Sequence, residues 1–201
     1  MENTKTREPQ QKRSIEKKNR IIEIGFRLMC EKGYQNTTTA DIAKAAGVST
    51  GIIYSYFKDK HDIFICGLEV YGNKLLSPIY SEITPDIDIY KSLEKIIDSL
   101  VEGHRIFENF HKEIGALTMT DEAVAQIMLD TEIKTTKQLE VMLSQVGFDT
   151  INLAEKTHVI YNLVEALCHE ITFHNHKELD YDKMRQIVID AVIHILGDPR
   201  K

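Results

Sequence analysis

This sequence of 201 residues has little of what marks secreted, membrane-spanning or disulfide-linked proteins. Its three cysteines, Cys30, Cys66 and Cys168, are odd in number, far apart and without a CxxC pair, which predicts reduced thiols. No apolar run approaches the roughly 20 residues that cross a bilayer. The first 20 residues are polar and charged, so we expect no secretory signal. These absences favour a cytoplasmic protein that does not bind membranes.

Proline and alternating apolar and polar residues are also scarce. Four prolines occur, and we expect Pro78 and the TPD segment at 84–86 to end a helix. Apolar residues instead recur three and four positions apart, as at Leu139, Leu143 and Val146, which is the helical period. The sequence therefore predicts an all-α protein.

Glycines and capping residues divide the chain into predicted helices. We expect a disordered basic tail over 1–13, a three-helix domain over 14–60 with Gly33 closing its first helix, and a larger helical domain over 61–201. A long helix is predicted to begin after Asp59. Further helices are predicted at about 87–102, 104–117, 121–146, 151–175 and 181–196.

The stretch TTTADIAKAAGVSTGIIYSYF, residues 37–57, predicts two short helices. Thr38 followed three residues later by Asp41 has the form of a capping box, Gly47 ends the first helix, and Ser49 caps the second. Helices of about two turns are marginal alone, so these must pack on each other and on the preceding helix. Two helices joined by a short turn that contains glycine are typical of a helix-turn-helix, whose second helix enters the DNA major groove.

Charge is unevenly distributed along the chain. The net charge is −6, yet residues 1–60 carry 12 Lys and Arg against 7 Asp and Glu, whereas residues 61–201 carry 13 against 24. A basic part within an acidic chain indicates contact with a polyanion, because the local patch matters more than the sum. The tail is predicted to follow an adjacent groove or backbone of DNA, the alternative being that it only aids solubility. The basic residues of the tail and of the segment directly after it are Lys5, Arg7, Lys12, Arg13, Lys17 and Lys18.

Side chains around the second short helix have the chemistry of DNA contacts. Hydroxyls, lysines and helix N-termini bind phosphates and thereby fix the register on the duplex. The predicted phosphate contacts are Thr38, Ser49, Thr50, Tyr54, Tyr56, Lys58 and Lys60. The predicted base contacts are Thr39, Ala40, Thr50, Gly51 and Ser55. Gly51 costs a helix about 1 kcal/mol relative to alanine, and a close approach of its backbone to DNA would explain its presence.

The segment GYQNTTTADIAKAAGVSTGIIYSYFKDKHDIF resembles the N-terminal signature of the tetracycline-repressor (TetR) family of bacterial transcriptional regulators. Matching features are the Gly-aromatic pair at Gly33, the DIAKAAGVS run, the Tyr-x-Tyr-Phe end, and Lys60 followed by Ile63. The resemblance covers about residues 14–65. It implies an all-helical dimer whose larger C-terminal domain binds a small molecule that releases a DNA operator.

Two positions depart from the family's common pattern. Many members have a basic residue where this chain has Ala40, and a lysine where it has Thr50. We therefore expect a different operator sequence or phosphate affinity. The same departures leave open a helical adaptor that kept the fold and lost DNA binding.

The C-terminal part offers candidates for an effector pocket and for a dimer interface. Met and aromatic side chains at helical spacing usually form a core, but they also suit adaptable binding surfaces between bundle helices. The pocket candidates are Phe107, Phe110, His111, Met128, Met142 and Tyr161. Few basic residues accompany them, so an apolar or weakly polar effector is expected.

The last two predicted helices each present an apolar stripe. Two such helices from each subunit form a four-helix bundle across a two-fold axis, and a dimer of this kind binds a palindromic operator. The predicted interface residues are Leu163, Leu167, Ile187, Ala191 and Ile195.

The segment CHEITFHNH, residues 168–176, raises the alternative of a helical metal- or haem-binding protein or enzyme. Ligand pairs on one helix lie three or four residues apart, whereas His169 and His174 are five apart, and no CxxC or HExxH spacing occurs. We therefore predict no metal and no cofactor. The chain also lacks a nucleophile motif, a phosphate-binding glycine loop and acids paired at fixed spacing, so no enzymatic activity is predicted.

Overall fold

A computed structural model of the chain describes residues 7–106, 108–174 and 176–197. Within these ranges all regular structure is α-helical and no β-strand occurs, which confirms the all-α prediction. None of the helices described is long and apolar enough to cross a bilayer. In chain order the helices are α1 (Arg7–Lys32), α2 (Thr39–Ala46), α3 (Thr50–Tyr54), α4 (Lys60–Glu82), α5 (Ile89–Ile106), α6 (Glu108–Thr118), α7 (Glu122–Gln145), α8 (Leu153–Phe173) and α9 (Tyr181–Leu196).

Helix α1 begins earlier than expected. It starts at Arg7, so the prediction of a disordered tail over 1–13 is wrong for residues 7–13, while residues 1–6 lie outside the described ranges. The cause is composition, because Glu, Gln, Lys and Arg are strong helix formers. Pro9 is tolerated since it falls in the first turn, where its missing N–H would have no acceptor.

Helix α4 passes through the proline that was expected to end it. Pro78 lies inside α4 and deprives the carbonyl of Lys74 of its usual donor four residues on. The hydroxyl of Ser77 donates to that carbonyl at 2.9 Å, which replaces the lost hydrogen bond. The helix therefore continues to Glu82.

The chain forms two compact units, whose boundary differs from the predicted one at residue 60. The first contains the described residues up to Tyr71 together with 109–127. Polar contacts attach α6 and its flanks to this unit. The backbone N–H of Tyr34 donates to Glu113 at 2.9 Å, and His61 lies 2.8 Å from Asp121. The second unit contains the described residues of 72–108 and 128–201.

An aromatic cluster forms the core of the first unit. Phe64 is 1% exposed and packs against the rings of Phe26 and Tyr34, with centroids 5.8 and 5.0 Å away. Cys30 is buried beside them, and burial, followed by the charges of Glu31 and Glu113, raises the pKa of its thiol to about 12. The three cysteines form no disulfide, as the sequence predicts.

Helices α5, α8 and α9 pack against one another in the core of the second unit, to which α4 and α7 also contribute, for example through Ile79 and Leu139. Each contributes one apolar stripe, represented by Leu100 on α5, Leu167 on α8 and Ile189 on α9, which are 1 to 3% exposed. Leu167 therefore lies in the core, and its prediction as a dimer contact is wrong. Leu163 and Ile195 pack against the same core and remain partly exposed.

Candidate nucleic-acid interface and effector cavity

The turn after α1 orients the two short helices. Gly33 ends α1 with φ +91°, a left-handed conformation that favours glycine. Thr37 follows with its side chain fully buried, and its hydroxyl donates to the carbonyl of Gly33 at 2.9 Å. This bond fixes the chain direction directly before α2.

Helix α2 begins with a complete capping box. The Thr38 hydroxyl accepts from the N–H of Asp41 at 3.1 Å, and the Asp41 carboxylate accepts from the Thr38 N–H at 3.0 Å. The same carboxylate accepts from the Thr38 hydroxyl, and these bonds lower the pKa of Asp41. The predicted cap is confirmed. Because the Thr38 hydroxyl already donates its hydrogen to Asp41 within the capping box, it is less available to donate to a phosphate.

A tight turn connects α2 to α3. Gly47 adopts φ +67° and its N–H reaches the carbonyls of Ala43 and Lys44, which closes α2. Two residues later Ser49 caps α3 by accepting from the N–H of Ile52 at 3.3 Å. Both predictions are confirmed, although α3 has only five residues and ends at Tyr54.

Apolar contacts hold these helices together and leave the candidate DNA contacts outside. Ile42, Ala43, Ala46 and Ile53 are at most 3% exposed, and α2 packs against both α1 and α3. Phe57 is also buried and belongs to the core. Most candidate contacts are exposed, namely Thr38, Ala40, Ser49, Thr50, Gly51, Tyr54, Ser55 and Lys58, while Thr39, Tyr56 and Lys60 are partly buried.

Two candidate contacts also have structural partners. The Tyr56 hydroxyl lies 2.9 Å from the hydroxyl of Ser14, which links the turn after α3 to α1. The Lys60 ammonium donates to the carbonyl oxygens of Tyr34 and Thr37 at 2.7 and 2.9 Å and lies 4.4 Å from the centroid of the Tyr34 ring. The ammonium is thus held by two backbone acceptors, and we reassign Lys60 from phosphate binding to stabilisation of the turn before α2.

Sequence reasoning missed one cation near this surface. A β-carbon built on Gly47 would lie 3.8 Å from the guanidinium of Arg20, so this exposed α1 side chain reaches the turn of the helix-turn-helix. Periodicity places Arg20 on α1, but only the packing of α1 against α2 brings it to the turn. We therefore add Arg20 to the candidate phosphate contacts.

Replacing Lys60 with alanine should destabilise the first unit by about 1.5–3 kcal/mol, because two carbonyl oxygens lose a charged donor. Urea unfolding followed by circular dichroism measures the loss. Lys58→Ala is the matched control and should stay within about 0.5 kcal/mol of wild type, since Lys58 is exposed. A Lys60→Ala protein with wild-type stability and a lower salt dependence of DNA binding would restore Lys60 to the phosphate contacts.

The second unit contains an apolar cavity of about 70 Å³. Among the described residues Glu165 is the only charged one in the lining, and its carboxylate lies 3.2 Å from the buried imidazole of His104. Burial alone would lower the pKa of His104, but the hydrogen bond and charge of Glu165 outweigh it and raise that pKa. The lining residues are Ile79, Ile83, Ile87, Ile89, Ser92, Leu93, Ile96, Leu100, Leu139, Leu143, Thr157, Ile160, Tyr161, Val164, Glu165, Val192 and Leu196.

Of the six predicted effector residues, Tyr161 lines this cavity. Burial, followed by the charges of Glu165 and Glu132, raises the pKa of its phenol. His111 belongs to the first unit, where its Nε2 lies 2.9 Å from the hydroxyl of Tyr71. Met128 and Met142 lie outside the lining, while Phe107 and the side chain of Phe110 lie outside the described residues.

Two short capped helices, a left-handed glycine between them and an exposed first turn on the second define the class of helix-turn-helix proteins. Residues 21–65 match the family model described as bacterial regulatory proteins, tetR family. The N-terminal helix-turn-helix domain is thus of the tetR-family type, as its sequence predicts.

Similar proteins carry the same domain. Over 111 residues, which are 53% of this chain and 38% of the relative, the sequence is 31% identical to the HTH-type transcriptional regulator YuxN of Bacillus subtilis. Over 54 residues, 27% of this chain and 24% of the relative, it is 46% identical to the HTH-type transcriptional regulator HbdR of Aromatoleum. The chain thus matches well under half the length of these relatives.

The fold as a whole is also shared. A TetR-family transcriptional regulator of Mesorhizobium loti has a crystal structure that superposes with a TM-score of 0.74 and covers 92% of this chain and 99% of its own. Identity between the two is 18%, so this likeness concerns the fold.

Proposed function

We propose that this chain is a dimeric repressor that binds a palindromic DNA operator and is released by a small apolar effector. The observation that carries the proposal is the capped helix-turn-helix, whose predicted contacts lie mainly on exposed positions of α2, α3 and the turn after them. The tetR-family match over 21–65 supports the same role. A protein of this kind works in the bacterial cytoplasm, where its operator is.

In the proposed complex α3 enters the major groove. With five residues α3 presents only one turn, so Thr50, Gly51 and Tyr54 would lie nearest to the DNA. Ala40 at the start of α2 and Ser55 after α3 add to the base-facing surface. Lys58 and Arg20 supply cations to the flanking phosphates, which fixes register without reading sequence.

The salt dependence of DNA binding tests this arrangement. Lys58→Ala should lower affinity for all sequences similarly and reduce the slope of log affinity against log salt by about 1, because one fewer counterion is released. Fluorescence anisotropy at several salt concentrations measures the slope. Lys134→Ala removes the same charge from an exposed position of α7 and should leave the slope unchanged. Equal slopes for all three proteins would contradict the phosphate role of Lys58, and no DNA binding by wild type would favour the adaptor alternative.

Dimerisation is proposed through the outer faces of α8 and α9. Val159 on α8 is 53% exposed and Ile187 on α9 is 66% exposed, although both are branched apolar residues. Leu163, Ala191 and Ile195 are partly exposed on the same two helices. Covering these side chains with a second copy would bury the apolar stripes that one chain leaves in water.

The effector is proposed to bind in the apolar cavity beside Tyr161. Ligand pockets usually have volumes above about 300 Å³, so an effector must enlarge this cavity of about 70 Å³ and move its lining. Ile79 on α4 is part of that lining, and α4 continues without a break from Lys60. Movement of α4 would thus reach the helix-turn-helix along a single element, and release requires that the effector bind the two states with different affinity.

The cavity's chemistry favours an aliphatic molecule with a neutral polar group. None of the described residues that line it is cationic, and the carboxylate of Glu165 repels anions. Titrating the protein–DNA complex with an aliphatic alcohol and with the carboxylate of equal chain length compares the two classes. We expect the alcohol to release DNA at the lower concentration, and more efficient release by the carboxylate would contradict this assignment.

A further inference from the structure

Three metal-binding side chains meet at the C-terminal end of α8. His174 Nδ1 lies 2.9 Å from Glu170 Oε2, and His176 Nε2 lies 3.4 Å from Glu170 Oε1. The three candidate ligand atoms all lie within 4.8 Å of one another. The two imidazoles are stacked, with centroids 5.7 Å apart and planes inclined by 30°.

The end of the helix explains why spacing alone did not reveal this cluster. Glu170 lies on α8, which ends at Phe173, whereas His174 has an extended backbone with φ −111° and ψ 153°. The rule of three or four residues applies only within a helix, and here the chain leaves the helix between the first and second ligands. Cys168 and His169 are not part of the cluster. Cys168 is instead buried in the core, and burial raises the pKa of its thiol.

The donor set and its spacing suit a divalent ion of the zinc class. Two imidazole nitrogens and a carboxylate oxygen are common zinc ligands, with bonds of about 2.0–2.2 Å. Tetrahedral ligands at that bond length lie about 3.3 Å apart, and the nitrogens of His174 and His176 lie 2.9 and 3.4 Å from the two different oxygens of Glu170. Glu170 is 21% exposed and the imidazoles of His174 and His176 are 54 and 56% exposed, so an ion can reach the cluster and water can complete its coordination.

Tyr181 supports the cluster from α9. Its hydroxyl accepts from the backbone N–H of His176 at 3.0 Å and donates to Glu170 Oε1 at 3.4 Å. One phenol therefore holds both the carboxylate and the backbone of a ligand. Hydrogen bonds from neighbouring groups to metal ligands orient those ligands and strengthen binding.

Asp59, His61 and Asp62 form a second group of candidate metal ligands, but unlike the cluster at Glu170 these side chains already have structural roles. There the Asp62 carboxylate accepts from the N–H of Lys58 at 2.8 Å, and Asp59 accepts from the N–H of Asp62 at 3.1 Å. His61 in turn lies 2.8 Å from Asp121. These bonds form the start of α4, so metal binding would disrupt a helix cap.

We propose that Glu170, His174 and His176 bind one divalent transition-metal ion of the zinc class. The ion connects the last turn of α8 to the segment leading to α9. Tyr181 acts as a positioning residue that touches the ligands and not the ion. This site is independent of DNA binding and replaces the sequence-based expectation that the chain holds no metal.

Metal titration of the full chain, with any affinity tag removed, tests the proposal. Zn²⁺ is titrated by calorimetry, and Co²⁺ is used as a visible probe whose absorption reports tetrahedral nitrogen and oxygen ligation. We expect one ion per chain for wild type. His174→Ala/His176→Ala should show no stoichiometric uptake, and because both side chains are exposed this variant should keep its fold by circular dichroism.

Two further variants separate the site from general histidine binding. His194→Ala removes an exposed histidine of α9 and should bind as wild type does. Tyr181→Phe should weaken affinity about 10–100-fold while keeping one ion per chain. The proposal is overturned if wild type takes up no ion, if the double variant binds as tightly as wild type, or if His194→Ala loses binding equally.

Discussion

Replacing Gly51 with glutamate should reduce operator affinity by at least about 100-fold without destabilising the protein. In the proposed complex this position faces DNA, and a carboxylate there would meet the phosphates and acceptor edges of the groove. Placing like charges together at an interface costs several kcal/mol, and each 1.4 kcal/mol is a factor of about ten in affinity.

The structure explains why the fold should tolerate this change. Gly51 is exposed, and a β-carbon there would meet only the Ser49 hydroxyl oxygen, at 3.9 Å. Glutamate is a better helix former than glycine by roughly 0.5–1 kcal/mol. Its negative charge in the first turn of α3 also interacts favourably with the helix dipole. Urea unfolding should therefore show wild-type or slightly higher stability.

Gly115→Glu is the matched control for Gly51→Glu. Gly115 is exposed on α6, and a β-carbon there meets none of the described residues within 4 Å, so the variant makes the same change of charge and helix propensity elsewhere in the first unit. It should keep at least a third of wild-type affinity, a loss of about 0.7 kcal/mol. An equal loss in both variants would mean that net charge alone acts, and no loss at Gly51 would place α3 away from the DNA.

Replacing Gly67 with alanine should destabilise the first unit by about 2 kcal/mol. A β-carbon on Gly67 would lie 2.3–2.6 Å from three carbons of Phe26, a distance that real contacts do not reach. Phe26 cannot move aside easily, because it is 6% exposed and its ring packs 5.8 Å from Phe64 and 5.9 Å from Tyr71. Overpacking costs typically 1–3 kcal/mol, and contacts this close correspond to the upper end, so after a helix-propensity gain of about 1 kcal/mol a net loss of about 2 kcal/mol remains.

Gly115→Ala makes the same chemical change as Gly67→Ala but is expected to raise the stability of the protein. With open space around the new methyl group, the protein should gain about 0.5–1 kcal/mol from helix propensity. Urea unfolding of both variants and wild type gives the two differences in free energy. Equal stability of Gly67→Ala and wild type would show that α1 and α4 are packed less tightly than described.

The helix-turn-helix was predictable because its signals are local. Thr38, Asp41, Gly47 and Ser49 each act on backbone groups within four residues, so spacing in sequence equals spacing in structure. Lys60 was assigned incorrectly because its acceptors lie more than 20 residues away, across the turn that its own position stabilises. Sequence shows that a lysine is present but not which way its ammonium points.

The other differences between the sequence-based predictions and the structure also arise from the three-dimensional course of the chain. Pro78 was expected to break α4, yet the hydroxyl of Ser77 replaces the missing donor. The predicted pocket relied on Met and aromatic residues, whereas isoleucine, leucine and valine line most of the cavity, because five helices and the loop after α4 supply them. Glu170 and His176 come together only because α8 ends between them. Each case depends on where the chain turns. Residue type and hydrophobic period do not determine that position.

Selection of binding sites from a pool of random DNA duplexes tests the central claim most directly. The purified chain is incubated with the pool at low salt, and the retained duplexes are sequenced over several rounds. A paired helix-turn-helix predicts a palindromic motif whose half-sites are centred about 10–10.5 base pairs, or a multiple of this, apart. Enrichment of a single half-site would contradict the dimer, and no enrichment in protein shown by mass spectrometry to carry no bound small molecule would contradict DNA recognition itself.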